Sequence, residues 1–485
     1  MTDVRPRREP DEQRRGITHQ IDATTALTCY LVLLLAIPSR LVVGPLGAAG
    51  GVAALFSLTL ALWWGWFRLQ SGPSQYLGRR PVRTAALVLV ACVMVSYVAA
   101  CVRPLPQTEV NGADNGVLRA LGWVAVVVVA NDGITDRLRF DTLIHRFVIA
   151  GSLMAALGLV QTFTGTTVVD HIAIPGLTPN VDTSGVQSRN GFTRSTATAI
   201  HPLEYAVVLT AALPLAITRG LTYRRRGVVG RWLPAALIVV ASVLSVSRTT
   251  VIGVVVALAV MAPAWSRPVR RAALLVGGLV LAATYVLVPG LLGSILSLLT
   301  GVANGDPSSV SRTASYATAA SFVSRSPLVG RGLGTFLSTY RILDNQLLLI
   351  TIELGVLGLA ALLALTSWAV WSALRARRLL GDEGGRQTAQ ALAAAVISTT
   401  VTFAFFDAFS FPQAVGVYFL MCGLAGALHR IASRPEPAPG HRRRGGRSRP
   451  RTSGARRQGD GVNVPDAAVL AAPLVPEGAS CPRAI

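Results

Sequence analysis

The sequence has no lysine, and charged residues of all kinds make up only 14% of its 485 residues. Soluble proteins carry about a quarter, so this scarcity excludes a soluble protein. Hydrophobic residues account for 52% of the chain, and they gather in runs close to the roughly 20 residues that a helix needs to cross a bilayer. The composition therefore predicts an all-α, multi-pass integral membrane protein.

Motifs that hold metals or nucleotides are also missing. The chain has no Cys-x-x-Cys, His-Glu-x-x-His or Asp-x-Asp motif and no phosphate-binding glycine loop, and its five cysteines show no spacing typical of disulfides or zinc sites. We expect neither a metal nor a cofactor. The net charge of +22 comes from arginines in loops and tails, which membrane topology explains without nucleic acid as a partner.

Twelve transmembrane helices are predicted from the apolar runs. They lie near residues 24–38, 44–66, 84–102, 116–130, 143–162, 202–218, 232–246, 249–264, 272–292, 345–366, 389–408 and 411–430. The arginine-rich short loops then fall on one side, which the positive-inside rule makes the cytoplasmic side. Both termini are accordingly predicted to be cytoplasmic, with the protein in the plasma membrane.

Three regions follow from this pattern. Residues 1–22 form a charged leader without a small-residue cleavage site, so we expect it to be retained. Residues 23–431 form the transmembrane domain. Residues 432–485, which are rich in Pro, Gly and Arg, are predicted to be a disordered cytoplasmic tail. The charge of this tail could bind anionic lipid headgroups or could only help to orient the chain.

One apolar stretch, residues 232–264, could be a single long helix or a hairpin broken at "SVSRTT", residues 245–250. A single helix would put the following "SRPVRR" loop on the outer side, against the charge rule, so the hairpin is favoured. Arg248 would then be held at membrane depth. A charge there costs about 2.5–3.5 kcal/mol on insertion scales, which makes Arg248 a functional candidate.

Two outer segments, residues 163–201 and 293–344, are longer than the other connections, and long loops often carry function. The outer half has few acids to pair with its arginines, which are Arg189, Arg194, Arg248, Arg312, Arg325, Arg331 and Arg341. Guanidinium groups bind phosphate oxygens in a fork, so a lipid diphosphate is a suitable ligand. Headgroup contact or solvation is the alternative for each arginine.

Three other polar residues are candidates with two interpretations each. His201 precedes Pro202 at the start of a predicted helix, so it could bind substrate or only mark the helix boundary. Asp344 could be a catalytic carboxylate or the N-cap of the following helix. Glu353 lies nine positions after Asp344 and hence on the opposite helical face, aligned with Gln346, which also favours a helix-stabilising or inter-helix hydrogen bond.

Four motifs occur in order along the chain: "RNGFTRSTATAIHPLEYAVVL", "LSVSRTTVIG", "SSVSRTASYATAASFVSRSPLVGRGLGTF" and "LDNQLLLITIELGVLGLAALL". Together they resemble the O-antigen ligase and polysaccharide polymerase family of bacterial membrane proteins. The resemblance implies a glycosyltransferase C-like membrane bundle with two long outer loops. It also implies an inverting, metal-independent enzyme that transfers glycan from undecaprenyl diphosphate to an acceptor hydroxyl outside the membrane, in surface or exopolysaccharide biosynthesis.

The same resemblance assigns roles to residues. It puts the diphosphate on Arg248 and Arg312, with Arg194 and Arg331 nearby. Asp344 stands where the ligases have a histidine followed by asparagine, and this change favours a polymerase over a ligase. An aspartate has an ordinary pKa near 3.9, so Asp344 would need burial to act as general base.

His201, Asn345 and Glu353 complete the set of predicted substrate-binding residues. The expected partners are the undecaprenyl diphosphate-linked glycan, membrane lipids and other glycan-assembly membrane proteins.

Two rival functions remain open. A twelve-helix transporter or lipid-linked glycan flippase is one, because "GRRPVR" at residues 78–83 is partly similar to the loop motif of the major facilitator family. The uneven outer loops differ from the similar halves that such transporters show. A non-catalytic scaffold of a glycan-export assembly is the other, and it predicts tolerance of change at Arg248 and Arg312.

Overall fold

The structure is a computed structural model that describes residues 22–70, 80–180, 187–189, 192–223, 227–245, 247–287 and 307–434. Most of the predicted leader and tail therefore lies outside the described residues. The helices within these ranges are α1 (Ala23–Leu35), α2 (Val52–Gln70), α3 (Pro81–Cys101), α4 (Gln107–Gly133), α5 (Arg137–Thr164), α6 (Pro202–Thr222), α7 (Val228–Leu244), α8 (Arg248–Met261), α9 (Arg267–Leu287), α10 (Pro307–Val323), α11 (Gln346–Leu379), α12 (Glu383–Thr402) and α13 (Pro412–Ala432).

The helices confirm the predicted all-α, multi-pass membrane protein. Each of the twelve predicted helices has a counterpart, and α10, inside the second long loop, is the additional one. Among the described helices, seven are long and apolar enough to cross a membrane, and α1, α7 and α8 are shorter apolar helices. The predicted hairpin is also confirmed, since α7 ends at Leu244 and α8 begins at Arg248.

Several predicted boundaries were wrong for local reasons. The second predicted helix was placed from residue 44, but residues 44–49 form a 3₁₀ helix in which Gly47 has a φ of 50°, and α2 starts at Val52. α5 starts six residues earlier than predicted, because Asp136 caps it by accepting the Arg139 backbone N–H at 2.9 Å. α11 continues beyond its apolar run through "SALRARRL", whose Ala, Leu and Arg residues favour helix.

The centre of the bundle is built from α4, α6 and α13, which are buried along most of their length. Small residues let these helices approach closely. A Cβ added at Gly423 of α13, for example, would lie 2.7 Å from the Cβ of Ala130 on α4. The described side chains of α9 are instead exposed or half-buried, so this helix stands at the periphery.

Several of the predicted arginine-rich loops meet at one end of the bundle, which we call the arginine end. Arg80, which precedes α3, and Arg83 of α3 both pair with Asp132 of α4. Arg430 of α13 donates a hydrogen bond to the backbone carbonyl of Asn131 at 2.8 Å, and Gln387 of α12 donates one to Ala264 at 2.9 Å. These contacts place the loops where the sequence analysis expected them relative to one another.

The opposite end, which we call the loop end, carries residues 36–51 and 403–411 and the described parts of residues 165–201. Two short antiparallel ladders lie within these loops. β1 (Leu41–Val43) pairs with β2 (Leu177–Pro179), and β3 (Gln187–Arg189) pairs with β4 (Phe192–Arg194), with Gln187 opposite Arg194. The β1–β2 ladder ties the first long loop to the segment after α1, while the β3–β4 ladder lies within the loop itself.

Candidate active site

His201 and Arg194 lie together where the first long loop enters α6. His201 is the N-cap of this helix, and its Nδ1 accepts the backbone N–H of Leu203 at 3.2 Å. Its ring contacts that of Phe411 in the loop before α13, with 5.7 Å between ring centroids. Burial, helped by the nearby Arg194 guanidinium, lowers the pKa of His201 to about 4. His201 is therefore a neutral side chain at pH 7, and it marks the helix boundary as one interpretation predicted.

Glu204 joins the beginnings of two helices at the same place. Its carboxylate is fully buried and accepts hydrogen bonds from the Ser39 hydroxyl at 3.0 Å, the Ile200 N–H at 2.8 Å and the Gln413 N–H at 2.6 Å. Ile200 precedes α6, and Gln413 is in the first turn of α13. One carboxylate thus fixes both helix N-termini and the loop after α1 at the loop end.

Arg248 is the first residue of α8 and is half-buried at the tip of the hairpin. Five residues further on, Gly253 lets α8 sit tightly between two other helices. A Cβ there would lie 2.7 Å from Thr210 of α6 and 3.2 Å from Thr402 of α12. Arg248 is consequently held beside the loop ends of α6 and α12, close to the elements that carry His201.

The N-terminus of α8 also contains a buried polar group. Ser247, its N-cap residue, is 2% exposed, and its hydroxyl has no hydrogen-bond partner among the described residues. A helix N-terminus carries unsatisfied N–H groups and a partial positive charge, which suit an anion. Arg248, Ser247 and the first turn of α8 together form a place that could bind a phosphate group.

An apolar groove of about 500 Å³ lies beside this turn, between α7, α8 and α9. Thr250 and Val251, two and three residues after Arg248, line the groove, and Val254 and Leu258 continue its wall along α8. Leu274 and Gly277 form the α9 side. The groove therefore runs along the hairpin from the vicinity of Arg248 toward the arginine end.

Asp344 does not cap α11 as one prediction had it. The N-cap is the next residue, Asn345, whose Oδ1 accepts the Leu348 N–H at 3.1 Å. Asp344 itself is exposed, so the burial expected of a general base is not found there. A second carboxylate lies near it, since burial raises the pKa of Asp407 and the charge of Asp344 adds to the rise.

The loop between α12 and α13 brings Asp407 and the start of α11 close to His201. The Gln346 N–H donates to the backbone carbonyls of Phe403 at 2.8 Å and Phe406 at 3.1 Å. The Phe406 ring packs on Phe411 at 5.6 Å, and Phe411 in turn contacts His201. A continuous set of contacts thus links the predicted residues on α6 and α11.

Glu353 takes part in a different hydrogen-bond pattern from the one expected. Its Oε1 accepts the N–H groups of Gly334 at 2.9 Å and Phe336 at 3.3 Å, while Gln346 accepts the Phe409 N–H at 2.8 Å. The predicted alignment with Gln346 therefore does not describe its contacts. Glu353 is 4% exposed, and it holds the segment that joins α10 to α11 instead of reaching along its own helix.

That segment, residues 327–336, repairs a break in α11. Gly355 has a φ of 68°, so the N–H groups of Val356 and Leu357 cannot bond the carbonyls four residues back. They donate instead to Pro327 at 2.9 Å and Leu328 at 3.2 Å.

The two carbonyls left over by the break, those of Ile352 and Glu353, accept the N–H groups of Arg331 at 3.2 Å and Gly332 at 2.8 Å. The loop thus supplies partners for all four groups.

Arg331 has an acidic partner, although the sequence analysis expected few acids near the outer arginines. Its guanidinium forms an ion pair with the buried Glu109 of α4 at 2.9 Å. The rings of Phe322 and Tyr340 lie 4.7 and 5.4 Å from the guanidinium carbon, and the Tyr340 hydroxyl donates to Glu109. Arg331 thereby fixes the loop to α4.

Two predicted arginines cannot be placed in full. Arg312 lies in α10, but its side chain is outside the described residues, and the same holds for Arg189 in β3. The structure thus places His201 beside Arg194 and, through the 403–411 loop, near Asp344 and Asn345, while Arg248 lies at the same end of the bundle, on α8. It separates Arg331 and Glu353 into a second, structural cluster.

Sequence reasoning missed several residues, which are Glu109, Arg119, Gln161, Glu204 and Asp407. A single charge or amide in an apolar helix is a usable signal, and it would have singled out Arg119 and Glu204. Arg119 of α4 lines a cavity of about 70 Å³ with Ser39, Ser57 and Trp123. The same signal would have found Asp407, the single charge in "FAFFDAFSF", whereas Glu109 lies in the polar segment "PQTEVNGADNG", which carries no such signal.

Comparison with known proteins supports the predicted resemblance. Residues 233–363 match the family model described as O-Antigen ligase, and this match confirms the expected resemblance over that segment. The matched segment includes Arg248, Asp344 and Glu353. A search of curated proteins finds no significant relative.

Among solved structures, the chain is similar to a chain from the work titled "Structural coordination of polymerization and crosslinking by a peptidoglycan synthase complex". The two are 17% identical, with a TM-score of 0.39, and the alignment covers 73% of this chain and 98% of the other.

Proposed function

We propose that this O-antigen ligase-like membrane protein joins glycan units by moving glycan from a lipid diphosphate carrier to an acceptor hydroxyl at the loop end of the bundle. The proposal rests on the position of Arg248, which lies next to the residues that begin the apolar groove on α8. An amphiphile with an anionic head and a long apolar chain has both of its parts accommodated there. The family match at residues 233–363 supports the same reading.

The diphosphate would bind at the N-terminus of α8. The Ser247 hydroxyl, which has no hydrogen-bond partner among the described residues, can donate to it, as can the Arg248 guanidinium and the first N–H groups of the helix. The helix dipole adds partial positive charge. Arg194 and Arg312 are proposed to bind the remaining phosphate oxygens. Donors that are already in place stabilise the charge that develops on the leaving diphosphate.

The transfer itself needs one bond formed and one broken. The acceptor hydroxyl oxygen bonds to the anomeric carbon while the bond from this carbon to the carrier's phosphate oxygen breaks, and that electron pair leaves with the diphosphate. The hydroxyl proton goes to a carboxylate. Asp407, half-buried beside Asp344, is the better base of the two, because its raised pKa strengthens it as a proton acceptor.

The apolar groove would hold the polyprenyl chain of the carrier, which we propose to be undecaprenyl. The loop end then faces outward, with both termini in the cytoplasm, as the arginine distribution favours. We propose a polymerase of surface or exopolysaccharide that needs no metal. Chelation by EDTA should accordingly leave transfer in purified membranes unchanged, and a loss restored by Mg²⁺ would contradict this part.

The test is complementation of polysaccharide chain length in a deletion strain at matched membrane abundance. We expect wild type to restore long chains and Arg248→Ala to leave unextended lipid-linked units on the outer face. Arg386→Ala is the matched control, since Arg386 lies at the arginine end in an exposed pair with Glu383. Full rescue by Arg248→Ala would remove the proposed site and favour the scaffold, while units retained on the inner face would favour a flippase.

A further inference from the structure

A buried glutamine holds the backbone of the first long loop between Arg194 and His201. Gln161 of α5 is 1% exposed, and both ends of its amide bind residues of the first long loop. Its Oε1 accepts the N–H groups of Thr196 at 3.2 Å and Ala197 at 2.8 Å, and its Nε2 donates to the Ala197 carbonyl at 3.1 Å. All the hydrogen bonds described for this side chain thus go to two adjacent residues.

Ala197, which both ends of the Gln161 amide bind, has an unusual backbone conformation. Ala197 has a φ of 52° and is, in the part of the chain that the structure describes, the non-glycine residue with positive φ. The left-handed region brings the Cβ of an L-residue too close to a carbonyl oxygen, so such a conformation persists only where its surroundings impose it. The three hydrogen bonds with Gln161 hold Ala197 in this conformation.

The other side of the segment is fixed as well. The Thr198 hydroxyl donates to the Leu35 carbonyl at 2.7 Å, and the Thr198 carbonyl accepts the Ser39 N–H at 2.9 Å. Glu204 then accepts the Ile200 N–H, as described above. Residues 196–200 are therefore held by hydrogen bonds with α1, α5, α6 and the loop after α1. Arg194 and His201 are the candidate site residues on either side of this segment.

We propose that Gln161 is a positioning residue for the transfer reaction, which acts by holding Ala197 in the left-handed conformation and so fixes where Arg194 stands relative to His201 and the N-terminus of α8. This inference rests on the proposed function, since it needs Arg194 to bind the carrier diphosphate. Alanine at position 161 would remove all three hydrogen bonds and would leave the segment free to relax to ordinary backbone angles.

A glycine at position 197 separates this role from general stability. Glycine adopts positive φ without steric cost, so a glycine at position 197 should keep the left-handed conformation without the hydrogen bonds from Gln161. Four forms of the full-length protein in detergent are compared, namely wild type, Gln161→Ala, Ala197→Gly and the double variant. Thr162→Ala is the matched control, because the Thr162 hydroxyl bonds only within α5, to the Gly158 carbonyl at 3.0 Å.

The measured quantities are the Kd for undecaprenyl diphosphate and the hydrogen exchange of residues 194–201. We expect Gln161→Ala to weaken binding by about tenfold and to speed exchange, because the left-handed residue is no longer held. Ala197→Gly and Thr162→Ala should bind like wild type. The double variant should recover to within about threefold of wild type, since glycine removes the backbone penalty.

Unchanged binding by Gln161→Ala, or a double variant as weak as the single one, would overturn the proposal. If Gln161→Ala fails to insert, Ala197→Val carries the same test with Gln161 in place, and normal binding by that variant would also overturn it. A wild type that does not bind undecaprenyl diphosphate would refute the proposed function and the positioning role together. If hydrogen exchange of residues 194–201 were still slow in wild type and faster in Gln161→Ala, the hydrogen bonds from Gln161 would have a purely structural role.

Discussion

Glu109 and Arg331, 222 positions apart in the sequence, form an ion pair at 2.9 Å in which the Glu109 side chain is 1% exposed and the Arg331 side chain 13%. The pair joins the start of α4 to the loop that repairs α11. Removing one partner leaves the other charge buried without compensation. The pair is therefore a fixed point for the second long loop, in spite of the role that the motif resemblance implied for Arg331.

Replacing Glu109 alone should be strongly destabilising. We expect Glu109→Leu to cost about 3–5 kcal/mol of stability, because the Arg331 charge would remain buried and unpaired. The measurement is the melting temperature of the detergent-solubilised protein by tryptophan fluorescence. The double variant Glu109→Leu with Arg331→Leu should regain most of the loss, and a double variant less stable than either single one would contradict the account.

Glu353 should be replaceable by glutamine and not by alanine. Glutamine keeps an oxygen that can accept the Gly334 and Phe336 N–H groups, whereas alanine leaves both unsatisfied at about 1–3 kcal/mol each. We expect Glu353→Gln to retain at least half of the polysaccharide product and Glu353→Ala to lose most of it at matched membrane abundance. Equal loss in both would indicate that the negative charge itself is needed.

The break in α11 should tolerate no side chain at its centre. A Cβ at Gly355 would lie 2.2 Å from the Leu328 carbonyl oxygen, and its φ of 68° is unfavourable for other residues. Gly355→Ala should lower the melting temperature by several degrees or prevent accumulation in the membrane. Gly381→Ala, which has nothing within 4 Å, is the matched control and should behave like wild type.

The low pKa of His201 predicts a pH dependence of stability. In the unfolded chain this histidine titrates near 6.5, while in the folded protein it titrates at about 4. Between these values the unfolded state binds more protons, so stability falls as the pH falls from 6.5 toward 4.

His201→Asn tests this dependence, because asparagine can still cap α6 but does not titrate. The difference in melting temperature between pH 7 and pH 5 should be smaller in the variant than in wild type. An identical difference in both proteins would exclude His201 as its cause.

The groove between α7, α8 and α9 should set the affinity for the carrier's chain. Gly277 lines it, and a Cβ added there would have no atom within 4 Å, so Gly277→Leu should fill part of the groove. We expect KM for a substrate with a full-length polyprenyl chain to rise by about tenfold, as burial of a few methylene groups is lost. A substrate with a two-isoprene chain should show no change, and an equal rise for both would place the chain elsewhere.

The all-α, multi-pass character could be predicted because most of the helices follow from apolar runs, although seven of the described helices, and not twelve, are long and apolar enough to cross a membrane. The hairpin at Arg248 could also be predicted, since the charge rule decided between two readings of residues 232–264. α10 could not, because "PSSVSRTASYATAASFV" is polar and has no apolar run. Its contacts with Leu343 and Ile352 appear only once α11 is in place.

The site was predicted in part. The sequence placed Arg194, His201 and Arg248 at the outer side, and the structure gathers them at the loop end. Asn345, in contrast, caps α11 because the turn before this helix ends one residue later than expected. The partners of Arg331 and Glu353 come from segments far along the chain, and a single sequence without covarying relatives gives no way to pair them.

The broken helix α11 has a consequence for biogenesis. Its four unpaired backbone groups would be costly in a bilayer without protein partners. The segment that satisfies them, residues 327–332, is synthesised before α11, and α4 with Glu109 earlier still, so the groups meet partners that already exist when the helix leaves the ribosome. A circular permutation that moved this segment behind α11 would reverse that order and expose the break during insertion.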